Sequence, residues 1–130
     1  MPPLFPGLFS SPAQFDHGGR RTVLYVPDTD SWRSWPRPLT EVLAGVDVAL
    51  LDGTFYSGDE LPGRPVSAIG HPLIAESMDL LEPLVKAGRL EVAFTHLNHS
   101  NPALEPESAA RRAIESRGFR VLGEGEEIGL

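Results

Sequence analysis

At 130 residues the chain has room for one domain and one core. The absence of cysteine excludes a disulfide scaffold, a thiolate zinc site and a cysteine nucleophile, leaving His, Asp and Glu as the strong metal ligands. Eleven Lys and Arg against eighteen Asp and Glu give a net charge of −7, which repels phosphate backbones and argues against nucleic acid as a partner.

Residues 1–20 carry four prolines, three glycines and no hydrophobic period, so an irregular N-terminal arm is expected there, with the folded part over 21–130. The start lacks the basic region and continuous apolar stretch of a secretory signal, and no apolar run reaches the roughly 18 residues of a membrane span. A cytoplasmic location with no membrane contact is the resulting expectation. Residues 22–26 (Thr-Val-Leu-Tyr-Val) are β-branched and aromatic, and stop at the turn cluster Pro27-Asp28-Thr29-Asp30: a buried strand. Trp32 and Trp35 follow as a hydrophobic lid over the sheet edge. A short helix over 39–44 closes at Gly45, and a second buried strand spans 46–51, stopped by Asp52-Gly53. The long connection from Gly53 to Gly70, with four glycines and two prolines, has the length of a functional loop.

Pro72 suits the first turn of a helix whose apolar face is Ile74, Met78, Leu81 and Val85; Pro83 predicts a kink or an early end. A third strand covers 90–95, and His96 to Pro102 is a polar loop. A helix over 107–117 closes at Gly118, a fourth strand covers 119–122, and Glu124 to Glu127 reads as a solvated turn. The order βαβαβαβ implies right-handed crossovers and a mostly parallel α/β sheet.

Ligands of a parallel sheet bind beyond the carboxyl ends of its strands. Asp28, Asp52 and His96 each follow a strand there, His71 can reach the same edge, and His99 lies three residues past His96. Two carboxylates and imidazoles are ligands for zinc, iron or manganese. Each also has a structural reading: an Asp after a strand caps turns, a His before Pro72 sits in a loop, and His96 can be a satisfied core histidine in a polar turn, although Asn98, His99 and Asn101 offer polar neighbours that could orient its ring as a ligand. No Gly-x-Gly-x-x-Gly, Walker or Gly-x-Ser-x-Gly segment follows any strand, which removes the main support for nucleotide binding and serine hydrolysis.

The runs Thr22-Val-Leu-Tyr-Val-Pro-Asp28, Val46-Asp-Val-Ala-Leu-Leu-Asp-Gly-Thr-Phe55, Ile69-Gly-His71-Pro and Phe94-Thr-His96-Leu-Asn-His-Ser-Asn-Pro102 resemble the C-terminal half of metallo-β-lactamase-fold metallohydrolases, in the branch of pyrroloquinoline quinone biosynthesis protein B. The resemblance implies half of an αββα sandwich over 21–130 and a metal-dependent hydrolase acting on a small molecule, with zinc as the implied cofactor. It implies Asp28 and His96 as metal ligands, with His99 as a candidate to join them, Asp52 as an acidic residue near the metals, and His71 in proton transfer. The His-x-His-x-Asp-His loop of the family's N-terminal half is absent from this chain, so the resemblance further implies either weak activity alone or a homo-oligomer or second chain supplying that half. The alternative is a non-catalytic binding or assembly module that oligomerises through its uncovered sheet face. RNA processing, by likeness to ribonuclease Z, is disfavoured by the charge.

Overall fold

In the computed structural model, residues 22–65 and 69–122 are described. Four parallel strands form one sheet: β1 (Val23–Val26), β2 (Val48–Asp52), β3 (Glu91–Thr95) and β4 (Arg120–Val121). Between them lie α1 (Leu39–Val42), α2 (Ile74–Lys86) and α3 (Ala109–Ser116). The register pairs Val26 with Leu51 and Asp52 with Thr95, so the first three strands finish at one edge.

The strand order is β1-β2-β3-β4, without reversal. Right-handed crossovers that always step in one direction place every connecting helix on the same face of the sheet. The core follows this rule: Leu24, Val26, Leu51 and Phe94 pack with Met78 of α2 and Ile114 of α3. The opposite face carries the alternate residues of each strand. Val23, Val48 and Ala93 are buried there, and Tyr25 and Leu50 border a groove of about 880 Å³. Both faces are therefore apolar, as in sheets covered on both sides, while α2 and α3 pack on one.

Several boundaries differ from the sequence reading. The second strand begins at Val48, because Asp47 is used as a cap: its carboxylate accepts the Thr22 N–H at 2.7 Å. The early end expected at Pro83 does not occur, and α2 runs three residues further to Lys86. Leu84 and Val85, just beyond the proline, pack against the core, and this burial outweighs the single backbone hydrogen bond that proline removes. The turn from α3 to β4 passes through Gly118 at φ +93°, as a helix-ending glycine should. The long connection holds a 3-10 turn at Gly58–Glu60, closed by a Ser57–Glu60 capping box. Trp32 and Trp35 are buried edge to face, centroids 4.8 Å apart, and their indoles donate to Ser77 Oγ and Thr29 Oγ1. The expected arm over 1–20 and the acidic turn over 124–127 lie outside the described residues. Among the described residues no helix is long and apolar enough to cross a membrane.

Candidate metal centre

Asp52 closes β2 with its side chain completely buried. A buried carboxylate needs donors, and this one has three: Thr29 N–H at 3.0 Å and His71 Nδ1 at 2.9 Å on Oδ2, and Thr54 N–H at 2.9 Å on Oδ1. Because an ionised carboxylate only accepts, His71 places its proton on Nδ1 and keeps the lone pair of Nε2. The residues that carry these donors come from three segments: the turn after β1, the turn after β2, and the end of the long connection. The last is brought in by a parallel bridge between Phe55 and Leu73, reinforced by Ile74 N–H to Phe55 O at 3.0 Å. The Phe55 ring meets the His71 imidazole edge on at 5.8 Å and limits its tilt.

Asp28 completes the group. Its Oδ1 lies 3.5 Å from His71 Nδ1, and its side chain is 74% exposed, so one carboxylate of the pair faces water while the other is sealed beneath. Asp28, Asp52 and His71 each offer a ligand atom, all within 4.8 Å of one another, and they are the one group of three such residues among those described. Two carboxylates and one imidazole, with one side open to solvent, are the ligand types that suit zinc, manganese or iron. No described lysine or arginine forms an ion pair with Asp28 or Asp52.

His96 and His99 are not brought into this cluster. His96 adopts φ +61°, a left-handed conformation rare outside glycine, which turns the chain sharply at the end of β3 and leaves the side chain exposed beside the groove on the helix-free face. His99 is exposed two residues before Asn101. The sequence reading also set Asn101 beside His96, whereas its buried amide donates to the carbonyls of Gly53 and Thr54, at 2.9 and 3.3 Å. No local pattern announces a contact across 48 positions; the signal available was the Asn-Pro pair of a turn start.

A simply ordered parallel sheet, with helices on one face and an acidic and imidazole cluster at its carboxyl edge, is the α/β half of a metallo-β-lactamase-like sandwich. No family model matches the chain. It is 34% identical over 127 residues to coenzyme PQQ synthesis protein B of Methylobacterium sp. (strain 4-46), covering 91% of this chain and 40% of that protein. The protein of the same name from Pseudomonas protegens is 32% identical over 135 residues, covering 92% and 45%. Among solved structures, zinc-bound PqqB from Methylobacterium extorquens superposes with a TM-score of 0.66 at 26% identity, covering 86% of this chain and 41% of that one. The chain is homologous to coenzyme PQQ synthesis protein B and matches its C-terminal half. It spans less than half the length of these relatives.

Proposed function

We propose that this chain is the metal-holding half of a hydrolase-type protein of pyrroloquinoline quinone biosynthesis, acting on a small molecule. The observation that carries the reading is the convergence of Asp28, Asp52 and His71 at the open edge of the sheet. Asp28 and His71 would hold a divalent metal, zinc by likeness to the zinc-bound relative, with Asp52 fixing the imidazole from behind. When bound, such a cation lowers the pKa of a coordinated water towards about 7 and so supplies a hydroxide nucleophile. Asp52 keeps His71 in one tautomer, so that Nε2 is available to the metal or to a proton from water. Exposed Asp28 leaves the cluster accessible to a substrate from the solvent side.

With Asp52 on the Nδ1 side of the imidazole, Asp28 and His71 are two ligands, and a complete metal site needs more from elsewhere. The helix-free face of the sheet, with Tyr25 exposed and the Leu50 groove beside it, supports a homo-oligomer or a second polypeptide that covers this face and adds them. The same face favours the second reading, a non-catalytic assembly module. Metal content and native mass measured on one chromatographic peak separate the two. Bound metal with substrate turnover in an assembled species supports the first reading. A metal-free oligomer supports the second.

A further inference from the structure

We infer that Asn101 is a positioning residue for the Asp52–His71 pair, acting through the Asp52-Gly53-Thr54 turn. Asn101 is 2% exposed, and each end of its amide is used. Oδ1 accepts the Ala103 N–H at 2.9 Å and caps the 3-10 turn Pro102–Leu104, while Nδ2 donates to Gly53 O and Thr54 O. The peptide between those carbonyls carries the Thr54 N–H that binds Asp52 Oδ1, and Thr54 Oγ1 lies 3.4 Å from His71 Nδ1. The turn is pinned from the same side at two further points, Gly53 N–H to Thr95 O at 2.7 Å and Asn98 N–H to Thr54 O at 2.9 Å. It therefore has one seat, against the end of β3 and the loop that follows, and the Asn101 amide is the side chain that holds its carbonyls there. Without that donor a buried Gly53 carbonyl loses its partner, and the turn rotates to find another. Rotation moves Thr54 N–H away from Asp52 and releases the imidazole.

The inference concerns the candidate metal centre and rests on that reading only for its zinc readout. Asn101→Ser keeps an acceptor for the Ala103 N–H and removes the amide donor. Ser108→Ala, which removes the N-cap of α3 away from the site, is the control for lost stability alone. Two quantities are read on folded protein. The first is the nitrogen spectrum of His71 in metal-free protein, at a pH well above the usual imidazole range. The second is zinc affinity. In the unaltered chain and in Ser108→Ala, His71 is expected as the Nδ1–H tautomer; in Asn101→Ser it becomes a mixture, and zinc affinity falls about 10- to 100-fold. Should Asn101→Ser fail to fold, Asn101→Asp, which keeps the shape and the cap acceptor but opposes two carbonyls with a carboxylate, carries the same test. A His71 spectrum in the Asn101 variant identical to that of the unaltered chain overturns the inference, whatever zinc does. If the unaltered chain takes up no zinc, the metal reading fails, and the metal-free spectrum still decides the role of Asn101.

Discussion

His71 Nδ1 lies 2.9 Å from Oδ2 of Asp52, a carboxylate with no exposed surface, so a sealed anion sets the tautomer of a partly open imidazole. Carboxylates orient metal-binding histidines by this arrangement, and on the proposed function it gives Asp52 the role of holding the ring without meeting solvent itself.

Asp52→Asn is the sharpest test of that role. All three groups around the carboxylate are donors, Thr29 N–H, Thr54 N–H and His71 Nδ1–H, and an amide has one accepting atom for them. Either rotamer leaves an NH₂ against a buried donor. The variant is expected to lose about 1–3 kcal/mol of stability in urea unfolding. Its zinc affinity is expected to drop about 10- to 100-fold. A silent variant would make Asp52 a turn former only.

The histidines divide by position. His71→Ala is expected to abolish zinc uptake measured by calorimetry on the folded chain, because it removes the nitrogen ligand of the cluster. His96→Ala is expected to leave uptake by the isolated chain unchanged, since His96 lies outside the cluster and is exposed. The opposite pattern would place the metal at the end of β3.

Gly53 is needed for space. A Cβ there would sit 2.9 Å from both Phe94 Cβ and the Thr95 carbonyl oxygen, and backbone cannot move aside as a flexible side chain can. Gly53→Ala is expected to destabilise by about 1–3 kcal/mol and to disturb the adjacent Asp52. Equal stability by thermal unfolding would show that the turn does not press on β3 as described.

Glu60 gives the long connection a pH dependence. Its carboxylate accepts the N–H groups of Tyr56 and Ser57, yet burial outweighs them and holds its pKa above the usual value of 4.5, with Oε1 buried and unpartnered. A carboxyl whose pKa is raised by folding binds its proton more tightly in the folded state. The stability it contributes is full below about pH 4.5 and is lost as pH rises through the raised folded value. Glu60→Gln is expected to remove this dependence. Amide exchange at Tyr56 and Ser57, followed from acid to neutral pH, checks it, and an unchanged profile in the variant would assign the dependence elsewhere.

The grouping of Asp28, Asp52 and His71 was legible in the sequence for a physical reason. In a parallel sheet the residues just past each strand share an edge, so Asp28 and Asp52 could be placed together from the strands alone, and His71 from the expected helix start, although α2 begins at Ile74 with Leu73 as its cap and Pro72 lies just before it. The same logic puts His96 at that edge, directly after β3, but not its side chain in the cluster: a left-handed φ at a histidine is not written in local composition. Asn101 was misplaced for another reason: its partners, Gly53 and Thr54, are nearly fifty residues away and are backbone carbonyls, which have no sequence signature. The continuation of α2 through Pro83 shows core burial overriding local propensity. That every helix lies on one face follows from the order β1-β2-β3-β4, and alternating strands and helices alone do not specify that order.

The most direct measurement of the central claim is zinc stoichiometry and affinity on the untagged chain, with native mass taken from the same size-exclusion peak, compared with Asp28→Ala and His71→Ala. The expected result is near-stoichiometric zinc in the unaltered chain and none retained in either variant, both variants remaining folded. Zinc retained at full stoichiometry in both variants, or none bound by the unaltered chain at any native mass, would contradict the account.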